Sequence, residues 1–201
     1  RHLRPLVELL TVTALEVCEG QQYDMDFETR DDVTEDEYME MIRLKTSVLL
    51  AAALKAGAVM ADASAEDIAN LYAFGDKLGL AFQLQDDYLD IYGDPATFGK
   101  RIGGDILCGK KTFMLINAMR LADADQRAEL GRLLASQPEA EAEQEAKIAA
   151  VTHIYNILGV ADIAKERMHR CYEEAMGSLE RVTADDTRKA PLREFASRLM
   201  N

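Results

Sequence analysis

Long stretches free of helix-breaking residues are the feature that most narrows what this chain can fold into. Only 12 Gly and 4 Pro are spread over 201 residues, and β-branched residues almost never alternate with polar ones as a strand requires. Ala, Leu, Glu and Met dominate, and their side chains lose little rotamer freedom in a helix. The expected fold class is all-α. Thr34 and Glu37 make a capping-box pattern ahead of a helix predicted over 35–60, EDEYMEMIRLKTSVLLAAALKAGAVM. Ser64 and Asp67 repeat it ahead of AEDIANLYAFGDKLGLAFQLQDDYLDIY, which Gly93, Asp94 and Pro95 end. Helix is expected again from near Lys111, then over 125–136 and 139–158 with Pro138 between. Segment 160–182 is amphipathic, with Val160, Ile163, Ala164, Cys171, Ala175, Leu179 and Val182 at helical spacing. Pro191 suits the first turn of a last short helix. EAEAEQEAK at 139–147 reads as a solvated helix face.

Charge and cysteine usage exclude several functions. With 36 Asp and Glu against 23 Lys and Arg, the formal net charge is -13. Nucleic acid and anionic membrane surfaces need a cationic face, so neither is an expected partner. A small anionic substrate needs only local positive charge and stays open. Cys18, Cys108 and Cys171 form no CxxC pair, which argues against a disulfide framework or zinc ribbon and for the reducing cytoplasm. The longest apolar stretch, SVLLAAALKAGAVMA, is interrupted by Lys55 and too short to span a bilayer. The chain opens on Arg1 inside a helical pattern, LRPLVELLTVTALEV, and is expected to start mid-protein.

The strongest chemical signal is FQLQDDYLD at 82–90. On a helix Gln83, Asp86, Asp87 and Asp90 stand three or four residues apart, on one face. Three carboxylates within two turns repel one another, and a hard divalent cation such as Mg²⁺, bridging carboxylate to phosphate, would relieve that. The plain alternative is an exposed acidic patch on an acidic protein. PATFGKRIGGDILCGKK, the one extended Gly-rich loop, follows and brings Lys100, Arg101, Asp105, Lys110 and Lys111. Cations beside a carboxylate face suit a metal–diphosphate site, with glycines letting the backbone approach closely; alone, the loop is an ordinary basic surface loop. Lys45, next to Thr46, sits against the apolar run SVLLAAAL, directed at a cavity or partner charge, or snorkelling to solvent. Gln21 and Asp24 in EGQQYD are one helical turn apart.

Other patterns fail. Glu166 and His169 have ExxH spacing, but no second ExxH completes a di-iron site, so His169 is read as a surface residue. HExxH, GxSxG and a Walker-type Gly-Lys-Ser/Thr are missing. The 9 methionines read as core filler rather than a binding box.

In this order, GQQYD, LKTS, FQLQDDYLD and GKRIGGDILCGKKT resemble the C-terminal half of a trans-isoprenyl diphosphate synthase of the polyprenyl synthetase family, over residues from about 15 to 120 and more loosely in the helical tail. The resemblance implies an all-α, isoprenoid-synthase-type bundle around a central cavity. It implies Mg²⁺ ions gripping the diphosphate of an allylic prenyl substrate, ionisation to an allylic cation, attack by the double bond of isopentenyl diphosphate, and loss of a proton. By resemblance, Asp86 is the direct metal ligand, and Asp87 and Asp90 ligate the metal or orient its waters. Lys45 and Lys100 contact the allylic diphosphate, while Thr46 and Gln83 turn oxygens toward the developing cation. Asp105 and Lys110 brace this site, and Gln21 and Asp24 form its wall. A homodimer is also implied, in which the Ala-rich helix 47–60 either meets the partner or serves as core.

The family's first aspartate-rich motif, its adjacent arginines and its N-terminal basic residues have no counterpart here. The other paired aspartates, Asp31-Asp32 and Asp185-Asp186, do not continue as DDxxD. Residues 1–201 are thus expected to be the C-terminal part of one all-helical domain, holding half a catalytic site and inactive alone. Two readings compete with a synthase: a non-catalytic helical subunit that binds prenyl diphosphate or pairs with a catalytic partner, and a terpene cyclase. Cyclases of this fold carry a different second metal motif.

Overall fold

The computed structural model describes residues 2–94 and 102–200, and among them every regular element is helical. In chain order these are α1 (Leu3–Phe27), α2 (Glu35–Ile42), a π-helical turn (Arg43–Ser47), α3 (Val48–Met60), α4 (Ala65–Tyr92), α5 (Gly104–Cys108), α6 (Phe113–Leu121), α7 (Ala124–Ala135), α8 (Glu141–Ile157), α9 (Val160–Glu180) and α10 (Asp186–Leu199). The all-α expectation holds.

Local chemistry sets the helix ends. The Glu37 amide donates to Thr34 Oγ1 at 3.2 Å and the Thr34 amide to Glu37 Oε2 at 2.9 Å, the reciprocal box that opens α2. Ser64 caps α4 through the Asp67 amide at 3.0 Å. The Asp67 carboxylate does not return to Ser64's amide as a box would need. It accepts instead from the amide (2.8 Å) and hydroxyl (2.6 Å) of Thr183.

Three expectations are corrected. The helix predicted over 35–60 is not uniform: the Val48 amide bonds to Arg43 O, five residues back, so one extra residue is wound into the turn Arg43–Ser47. The Gly-rich loop contains α5, flanked by Gly103 (φ 82°) and Gly109 (φ 65°), both left-handed; its residues 95–101 lie outside the described residues. The last helix begins at Asp186, capped by Asp185, which puts Pro191 inside it rather than in its first turn.

The chain divides into two compact units. One comprises Arg1–Met25, Met39–Gln83 and Arg167–Asn201; the other comprises Asp26–Tyr38 and Leu84–Glu166. The core of the first is built from Phe74 and Leu78 of α4, Ala175 and Leu179 of α9, Val182 between α9 and α10, and Ala196 of α10, ringed by Leu50, Leu54, Leu71 and Leu192. On α4 and on α9 the two contributed residues stand one turn apart, as a buried stripe demands. In the second unit α8 packs on α5, α6 and α7 and buries Val151, Ile154 and Tyr155. The acidic run 139–147 is a solvated face except at its end: Lys147 is only 3% exposed. Its ammonium donates to the carbonyls of Leu107 (3.4 Å), Leu134 (3.5 Å) and Ser136 (2.9 Å). His169 is exposed as expected, and the three cysteines are free.

Candidate functional site

In the first unit two neighbouring residues of the π turn reach two different helices. Lys45 Nζ stands 2.6 Å from Asp24 Oδ2 on α1, which resolves the open reading of Lys45 in favour of a partner charge. Thr46 donates to Gln83 Oε1 on α4 at 3.0 Å. Gln21, one turn before Asp24, is exposed.

In the second unit α4 carries Asp86, Asp87 and Asp90 in its last two turns. The three carboxylates do not share one environment. Asp87 is 2% exposed and accepts from the hydroxyl of Tyr38 and, at 3.3 Å, from the Phe113 amide. Burial pushes its carboxyl up to about 7 against the pull of Tyr38 and Lys110. Asp86 and Asp90 are half-buried. Asp90 takes the Asp105 amide on Oδ2 at 3.0 Å, while its own carbonyl takes the Gly103 amide at 2.6 Å. A side chain at Gly103 would strike Ile148, so glycine serves both the left-handed turn and the close approach. Desolvation raises Asp90 above the usual carboxylate range, with Asp86 adding repulsion. Asp105 is raised in the same way, burial first, and Lys110 opposes it from 3.7 Å.

Burial and mutual repulsion therefore hold Asp87, Asp90 and Asp105 toward their protonated forms, and a divalent cation would reverse that balance. Among the described residues no group of three His, Cys, Asp or Glu side chains is arranged to hold a metal ion unaided. A hard cation at Asp86 and Asp90 would complete its shell with phosphate oxygens and water, the usual habit of Mg²⁺. The donor set fits such an ion. Lys100 and Arg101 lie outside the described residues.

One participant escaped the sequence reading, and one loop cation plays a different part. Tyr38, which fixes Asp87, is 49 residues away, and no local pattern joins them. Lys111 pairs with Asp31 at 2.9 Å rather than adding a spare cation to the loop.

Helices alone, with a carboxylate row on α4 and a lysine–threonine pair in a π turn, define a class. The chain belongs to the polyprenyl synthetase family, whose model matches residues 2–151. Among its relatives is a short chain isoprenyl diphosphate synthase from Methanothermobacter thermautotrophicus, 40% identical over 178 residues, covering 89% of this chain and 53% of that protein. A geranylfarnesyl diphosphate synthase from Natronomonas pharaonis is 37% identical over 166 residues, 83% of this chain and 46% of the other. The chain spans about half the length of the curated relatives it matches. A crystal structure of geranylgeranyl pyrophosphate synthase superposes with a TM-score of 0.92 at 40% identity, over 98% of this chain and 60% of that one. A polyprenyl synthase from Caulobacter crescentus CB15, complexed with calcium and isoprenyl diphosphate, superposes with a TM-score of 0.85 at 28% identity, over 98% and 58%.

Proposed function

We propose that this chain is part of a Mg²⁺-dependent prenyltransferase that joins isopentenyl diphosphate to an allylic prenyl diphosphate. The observation that carries the reading is the row Asp86, Asp87 and Asp90 on α4, tied through Asp90 to the Asp105 amide. The names of the relatives support the same chemistry.

Mg²⁺ would neutralise the diphosphate and help it leave. Asp86 and Asp90 would hold that ion; Asp87, buried against Tyr38, orients the helix that presents them. Lys45, Lys100 and Lys110 bind the diphosphate oxygens, and Asp24 aims Lys45. The C–O bond of the allylic substrate breaks, and the electron pair leaves with diphosphate. Thr46 and Gln83 present oxygens to the allylic cation, an interaction gained only as charge develops. The double bond of isopentenyl diphosphate then forms the new C–C bond, and the released proton passes to the departing diphosphate. Gln21 walls the site, and a homodimer is the proposed assembly.

The test incubates this chain, and separately the complete product of its gene, with both diphosphates and Mg²⁺. Elongated prenyl diphosphate from the complete product supports the reading. Prenyl diphosphate binding with no elongation replaces it with the non-catalytic binding subunit. In the active protein Asp86→Ala should lower turnover by more than about 100-fold, a loss that outer-shell changes at metal sites already approach, with helicity unchanged by circular dichroism. A large loss of helicity would assign Asp86 a structural role.

A further inference from the structure

The π turn is held between two glycines, and each stands one helical turn before the side chain that receives a π-turn group. On α1, Gly20 precedes Asp24, the partner of Lys45; on α4, Gly79 precedes Gln83, the partner of Thr46. Residues four apart on a helix share a face, so each glycine sits on the side from which its helix reaches the turn. A Cβ at Gly20 would fall on the Lys45 amide nitrogen and within 2.8 Å of two atoms of Leu44. A Cβ at Gly79 would lie 2.6 Å from Ser47 Cα and 2.8 Å from its Cβ and Oγ. Both obstructions include main-chain atoms of the π turn, which no rotamer change relieves. Ser47 is fully buried, and its hydroxyl has no hydrogen-bond partner among the described residues. Its small size, rather than its polarity, is what the contact uses.

We infer that Gly20 and Gly79 are positioning residues that set how closely α1 and α4 approach the π turn, and so aim Lys45 and Thr46. The inference rests on the prenyltransferase reading for what the two side chains do, and it assigns the glycines separate consequences. Gly20 governs the Lys45–Asp24 pair and hence diphosphate binding. Gly79 governs the Thr46–Gln83 pair and hence stabilisation of the cation.

Gly75 provides the control. It lies one turn before Gly79 on α4, and its Cβ would stand 2.7 Å from Ala51 Cα, beyond the π turn. Gly75→Ala therefore disturbs the packing of α4 against α3 without touching the turn. Gly57→Ala, with nothing within 4 Å, controls for the residue change itself.

Steady-state kinetics of the complete gene product read the split. Gly20→Ala should raise KM for the allylic diphosphate about 10-fold or more with a smaller change in kcat, as lost ground-state binding does. Gly79→Ala should lower kcat by about 10- to 100-fold, the scale of an ångström misplacement at a reacting centre, with KM little changed. Ser47→Gly in the Gly79→Ala background removes two of the three obstructing atoms and should recover part of kcat. Gly75→Ala and Gly57→Ala should leave both parameters near wild type. The inference is overturned if Gly75→Ala loses as much as Gly20→Ala and Gly79→Ala, or if those two retain wild-type kinetics. Should the wild-type protein fail to elongate, the functional reading falls first. Crystal structures of the two variants then decide the positioning claim: separated Lys45–Asp24 and Thr46–Gln83 pairs support it, and intact ones overturn it.

Discussion

Asp87 and Tyr38 show how residue type and surroundings part company within one motif. The spacing of Asp86, Asp87 and Asp90 puts all three on neighbouring faces of α4, and that much follows from helical geometry. Which of them turns inward depends on Tyr38 and Phe113, which come from distant segments and leave no local trace. Tyr38→Phe removes a donor from a buried carboxyl and should lower unfolding free energy by about 1–3 kcal/mol in urea titrations. The loss should shrink in an Asp87→Asn background, where the two changes share one interaction. Asp67 offers a pH test remote from the α4 motif. The hydroxyl and then the amide of Thr183 hold its carboxyl below the ordinary value of 3.8. A carboxylate depressed in the folded state adds stability above its unfolded value and loses it as pH falls through the folded one. Asp67→Ala should thus unfold at lower urea than wild type at neutral pH, and the gap should close well below pH 3.8. A gap that stays constant with pH would mean that the ionised form contributes nothing.

At the scale of elements, helices were legible wherever pattern and cap agreed. The box at Thr34, the Ser64 cap and the stripe on α9 all lie within a few residues of sequence, and each was found. The π turn was not, because RLKTS has no helix breaker; the extra residue is accommodated by close packing against Gly20 and Gly79, which sequence spacing does not reveal. Pro191 misled for a related reason. The rule favours Pro at a helix start, yet the Asp185 cap fixes the start earlier, and α10 tolerates the proline. Lys147 was hidden by its neighbours, since an acidic run ending in lysine looks solvated until three carbonyls close around the ammonium. Those carbonyls belong to α5 and to the end of α7, so Lys147 ties the helix bearing Asp105 to α7 and α8 within the second unit. Lys147→Met should cost about 1–3 kcal/mol through polar groups left unsatisfied. Amide hydrogen exchange should accelerate at 104–108 and 133–136; unchanged protection at 104–108 would separate Lys147 from the Asp105 segment.

For the whole molecule the decisive quantity is the net charge of -13. Substrates of the proposed reaction are themselves multiply charged anions, so the field of the protein opposes their approach. A basic nucleotide-binding surface would solve this with excess lysine and arginine, and its affinity would fall steeply with salt. Here the available cations are few, and Lys45 and Lys110 each stand beside a carboxylate, Asp24 and Asp105. Asp87, Asp90 and Asp105 are meanwhile biased toward protonation by burial. On the proposed reading, the diphosphate would therefore enter as a metal complex, with the carboxylates as the counter-charge of the ion. Calorimetric titration of a non-reactive allylic diphosphate analogue into the complete gene product should therefore show binding with Mg²⁺ and little or none with a chelator. Asp86→Ala should abolish the difference between the two conditions. Tight binding in chelator, weakened by salt as at a basic patch, would instead locate recognition in the lysines alone and remove the carboxylate row from the proposed site.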